Sequence, residues 1–87
     1  MLSGVSIHNP ETVVIGKDVV LESGVEIFAN TEIMGESHIS KNSVLGPNTH
    51  ILDSTVGENA HIFFSYIENA NIPNEESIGP YKVIKGN

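Results

Sequence analysis

The chain contains no cysteine and no arginine. Without cysteine, neither disulfides nor thiol chemistry can contribute. Its four cations, Lys17, Lys41, Lys82 and Lys85, are too scattered to form a basic stripe, and the net charge is −7. Nucleic-acid binding is therefore not expected, because phosphate neutralisation dominates that affinity. The same deficit weighs against tight binding of a nucleotide by the single chain. No apolar run approaches the ~20 residues of a membrane span. The segment Met1-Leu2-Ser3-Gly4-Val5 lacks the basic region and apolar core of a secretion signal. A cytoplasmic location is the expectation, with no membrane partner. No stretch carries the 3.6 period of a helix over three turns.

What is present is a period of six. Ile15, Leu21, Ile27, Ile33, Ile39, Leu45 and Ile51 recur at that spacing. Neither a helix nor a flat strand requires it. A short strand followed by a turn does, if every strand buries one anchor against a shared axis; such short repeats mark a β-solenoid. Three positions after the anchors come Asp18, Gly24, Asn30, Glu36, Asn42 and Asn48, mostly residues that tolerate left-handed backbone. Four positions after come Val19, Val25, Thr31, Ser37, Ser43 and Thr49, small or β-branched and suited to a tight inner corner. The rhythm continues through Val56, Ile62, Ile67, Ile72, Ile78 and Ile84, with some five-residue steps that read as shortened corners. Three hexapeptides make one triangular coil, so the thirteen anchors predict about four coils. At ~4.8 Å between stacked strands the prism would be roughly 20 Å tall. Residues 1–14 read as an N-terminal partial coil and residues 15–87 as the repeat proper, one domain overall.

This pattern resembles the hexapeptide-repeat acyltransferases, which fold as left-handed parallel β-helices. The fold class expected is thus all-β, a single-stranded left-handed parallel β-helix. The resemblance is strongest to the family of bifunctional UDP-N-acetylglucosamine pyrophosphorylase/glucosamine-1-phosphate N-acetyltransferases, at the first part of the acetyltransferase domain. Gly4-Val5-Ser6-Ile7-His8-Asn9-Pro10, Leu45-Gly46-Pro47-Asn48-Thr49, Asp53-Ser54-Thr55-Val56-Gly57 and Ile78-Gly79-Pro80-Tyr81 carry it. It implies acetyl-CoA as the donor used by the family, and a trimer. The family's nucleotidyltransferase domain and its acetyltransferase histidine have no counterpart here, so no catalytic residue is assigned and the module is expected to be inactive alone. The alternative is a non-catalytic hexapeptide-repeat protein that oligomerises or binds a partner. The match weakens over residues 73–87. Glu75 and Glu76 replace a turn residue and a small one, and Lys82 stands at an inner corner. Ile84-Lys85-Gly86 stands where the family has an Arg-Pro-Gly-like turn. Lys85 keeps the charge of a phosphate contact but lacks the bidentate fork; it is the candidate ligand-binding residue.

An 87-residue chain is marginal alone, since a compact chain of this size buries only about 60–65% of its unfolded surface. A homo-oligomer, with a trimer favoured, is therefore expected. Phe28 and Phe63 each follow an anchor on one face, with Gly46 between them in the stack and Phe64 beside them; these are the candidate interface residues. The histidines His8, His38, His50 and His61 admit three readings: solvated surface residues, ligands at a site between subunits, or a catalytic base. His38, His50 and His61 precede anchors on three different faces and cannot converge within one chain. No metal site is assigned. The acidic residues fall mostly at outward or turn positions, and a convex prism offers no cleft in which two carboxylates would share acid–base work.

Overall fold

A computed structural model describes residues 4–86. Each repeat contributes a strand of two or three residues, just long enough to turn one aliphatic side chain inward before the chain bends. In chain order these are β1 (Ser6–Ile7), β2 (Val14–Ile15), β3 (Val20–Leu21), β4 (Glu26–Ile27), β5 (Glu32–Met34), β6 (His38–Ile39), β7 (Val44–Leu45), β8 (His50–Leu52), β9 (Thr55–Val56), β10 (His61–Ile62), β11 (Tyr66–Glu68), β12 (Asn71–Ile72), β13 (Ser77–Ile78) and β14 (Val83–Lys85). A 3-10 turn at Pro10–Thr12 separates β1 from β2.

Every third strand pairs in parallel. The first face is β2-β5-β8-β11-β14, the second β3-β6-β9-β12 and the third β1-β4-β7-β10-β13. Anchor stacks on anchor: Ile15, Ile33, Ile51, Ile67 and Ile84 on the first face; Leu21, Ile39, Val56 and Ile72 on the second; Ile7, Ile27, Leu45, Ile62 and Ile78 on the third. The repeat period thus places each anchor where its spacing predicts. The fourteen strands make just under five turns rather than about four, because Ile7 supplies a further anchor in β1. The long axis is correspondingly 32 Å, against 22 and 21 Å across.

The core is a column of aliphatic side chains. Ile27, Ile33, Ile39, Leu45, Val56, Ile62 and Ile67 are fully enclosed, each worth on the order of 1.5–3 kcal/mol of hydrophobic burial. The inner corners are closed by hydroxyls. Thr31, Ser37, Ser43, Thr49, Ser54 and Ser65 are buried, and no buried side-chain polar atom among the described residues lacks a partner. On one corner Ser37 Oγ accepts from the Ser54 N–H at 3.2 Å, and Ser54 Oγ in turn accepts from the Ala70 N–H at 3.2 Å. Small hydroxyl residues recur there because they fill the corner and pair it to the next coil.

The left-handed turn residues correct the expectation in detail. Gly24, Asn30, Asn42 and Asn48 have positive φ, but Asp18 and Glu36 do not. The left-handed residue stands two positions after the anchor at Gly35, in a six-residue step, and at Asp53, Phe64 and Asn69, in the five-residue steps.

Candidate functional site

Alternation along each strand throws the residue before the anchor outward. This puts His38, His50 and His61 on the surfaces of the second, first and third faces, so the structure does not bring them together. Stacking instead places three of the histidines beside a glutamate one coil away. His38 Nε2 lies 2.6 Å from Glu22, His50 Nε2 3.1 Å from Glu32, and His8 Nε2 3.9 Å from Glu26. Hydrophobic periodicity does not pair these residues, although the face repeat contains the signal: Glu32 is the register partner of His50. Among the described residues no group of three or more His, Asp or Glu side chains is placed to hold a metal ion.

The Glu22 carboxylate is the most engaged. It takes a hydrogen bond from the His38 ring and another from the Lys41 N–H at 3.0 Å. The His38 bond above all holds the Glu22 pKa below its ordinary value of 4.5. A depressed carboxylate stabilises the fold above its ordinary pKa, and this contribution is lost as the pH falls below it. Glu22→Gln should therefore flatten the acid limb of the stability profile. Melting temperatures measured from about pH 6 down to about pH 3 should fall less steeply for the variant. Parallel profiles would show that the pair contributes nothing.

Phe28 and Phe63 lie on the third face one position beyond Ile27 and Ile62, and both are half-buried. The column reads His8, Phe28, Gly46, Phe63, Gly79. His8 stacks on Phe28 with ring centroids 4.4 Å apart and planes 3° from parallel. His61 leans on Phe63 at 5.0 Å. Phe64 meets Phe63 edge-on at 6.4 Å but turns round the corner, where its ring lies 6.1 Å from that of Tyr81.

At that corner lies a shallow, open depression of about 510 Å³. Phe64, Tyr66, Tyr81 and Val83 give it an apolar wall; His50 and Lys82 supply its charge-capable groups. Tyr81 and Val83 are 83% and 68% exposed, the two most open large apolar side chains among the described residues. Lys85 sits beside it on the first face, in register with Glu68, its Nζ 5.9 Å from the centre of the Tyr66 ring. The Tyr66 hydroxyl donates to Glu68 at 3.0 Å, and this bond raises its pKa. The arrangement offers an aromatic, partly cationic surface. It contains no nucleophile held against a base.

Stacked hexapeptide anchors, parallel strands of two or three residues and hydroxyl-filled corners define a hexapeptide-repeat parallel β-helix. No family model matches the chain. Among curated proteins it is 42% identical over 85 residues to the bifunctional protein GlmU of Carboxydothermus hydrogenoformans, a match covering 98% of this chain and 19% of that protein. GlmU of Streptococcus sanguinis is 35% identical over 85 residues, covering 98% of this chain and 18% of that protein. GlmU of Acholeplasma laidlawii is 37% identical over 81 residues, covering 93% and 18%. The chain is homologous to a segment of these bifunctional proteins and spans about a fifth of their length. No helix among the described residues is long and apolar enough to cross a membrane.

Proposed function

We propose that the chain is a β-helical assembly module of an enzyme of UDP-N-acetylglucosamine synthesis, and that it organises an oligomer rather than carrying acetyl transfer by itself. The observation that carries this reading is the similarity to GlmU over 98% of the chain. The surface chemistry supports it. His38, His50 and His61 lie on three different faces, and His8, His38 and His50 each stand beside a glutamate. Acetyl-CoA would be a ligand of the assembled enzyme, and Lys85, drawn over Tyr66, would at most steer an anionic group. The oligomer forms with the third face turned inward, bringing together the half-buried Phe28 and Phe63 of neighbouring copies. A trimer suits a three-sided prism, and the location is cytoplasmic.

Native mass measurement and an acetyl-transfer assay with glucosamine 1-phosphate test both halves. The expected result is an oligomer without turnover above background. Turnover that survives repeated purification and vanishes in His50→Ala or His61→Ala would overturn the assignment. Phe63→Glu should shift the oligomer towards monomer and lower its melting temperature, since an aromatic buried at an interface contributes on the order of 1.5–3 kcal/mol. An unchanged oligomer would remove Phe63 from the interface.

A further inference from the structure

The inner corner positions read Val, Thr, Ser or Ala from Val5 through Ala70, and then the pattern breaks twice. In the last coil the corner before β13 carries Glu75-Glu76, and the corner after it carries Tyr81-Lys82; all four are exposed. These two corners bound the third face at one height along the axis, one acidic and the other cationic. No ion pair ties Glu75, Glu76 or Lys82 to another side chain among the described residues.

The backbone marks the same corner. Phe64 and Tyr81 hold φ of 49° and 62° in the column where Asn30 and Asn48 stand at 60° and 56°. Asparagine enters the left-handed region cheaply; a bulky aromatic does not. Residues held in such conformations cluster at active sites, ligand clamps and switch regions. Here both rings line the open depression beside Lys82.

We propose that a second copy of this chain docks at this corner, with Lys82 and Tyr81 of one copy against Glu75 and Glu76 of the next. The proposal rests on the oligomer reading above and specifies its contacts. Prisms packed with parallel axes meet at equal heights. When the third faces turn inward, the two corners bounding that face are the ones neighbours share. Unlike corners meeting head to tail form a heterologous contact, the kind that closes a ring. A chain of net charge −7 repels its own copies at most approaches. This approach brings opposite charges together, and a complementary patch selects register and partner.

Charge reversal tests the contact. Lys82→Glu should weaken self-association on the order of tenfold, seen by sedimentation velocity as a shift to monomer at micromolar concentration. Glu76→Lys should do the same, and Lys82→Glu combined with Glu76→Lys should restore the oligomer. Tyr81→Ala should weaken association without changing its salt dependence, whereas wild-type association should weaken as salt rises. All these positions are exposed, so far-UV circular dichroism should be unchanged. A wild-type oligomer unaffected by Lys82→Glu would overturn this contact while leaving the oligomer intact. A double variant as dissociated as the single ones would overturn the pairing. A wild type that is monomeric throughout would overturn the oligomer reading beneath it.

Discussion

Ile39→Asp should leave the chain unfolded at room temperature. Ile39 is wholly enclosed in the middle of the second face, between Leu21 below and Val56 above. An aspartate there would find no hydrogen-bond donor, because the column around it is aliphatic. Burying an unpaired carboxylate and losing the isoleucine would together cost several kcal/mol, about 4–5 by the usual range of such substitutions. Small domains have only about 5–15 kcal/mol to lose, with the smallest chains at the low end. Ile39→Val is the matched control, at about 0.5–1.5 kcal/mol. Circular dichroism should show loss of β signal for the aspartate variant and a modestly lowered melting temperature for the valine variant. An aspartate variant melting within a few degrees of wild type would contradict the enclosed column.

The anchors were legible because a solenoid is nearly one-dimensional. Each repeat contacts its neighbours, so spacing along the chain maps directly to height and face. The same arithmetic places Glu32 opposite His50. It went unused because a pair facing solvent leaves no mark on hydrophobic periodicity. Ile7 was missed as an anchor because Asn9-Pro10 and the 3-10 turn interrupt the count between β1 and β2. The aromatic corner was hidden for a different reason. Phe64, Glu75 and Tyr81 adopt a left-handed backbone that their side chains disfavour. The conformation is imposed by the coils stacked against them, as where the Tyr81 N–H donates to Phe64 O at 2.7 Å. Local preference predicts a turn only where residue and geometry agree, as at Asn30, Asn42 and Asn48. At the candidate site the two disagree, so periodicity locates the corner but not its conformation.

Gly46→Ala should be nearly as damaging as a core truncation, although it adds a single methyl. Gly46 has φ +101°, and its added Cβ would collide with Thr31 Oγ1 and lie 3.2 Å from Phe28 Cβ. Neither neighbour can withdraw freely. Thr31 is fully buried at its corner, and Phe28 is fixed by the hydrogen bond of its N–H to Leu45 O at 2.8 Å. The left-handed strain contributes about 1–2 kcal/mol and the overpacking about 1–3 kcal/mol. At about 4–8 °C per kcal/mol for a domain of this size, the melting temperature should drop by roughly 10–40 °C. Gly24→Ala separates the two effects. Gly24 also has positive φ, +80°, but its Cβ would meet mainly the tip of the exposed Asn42 side chain, which can swing aside. That variant should show the backbone cost with little of the collision, and so lose about half as much. Equal melting temperatures for the two alanine variants would mean that the third face does not press Phe28 against Gly46, and the aromatic column would lose its register.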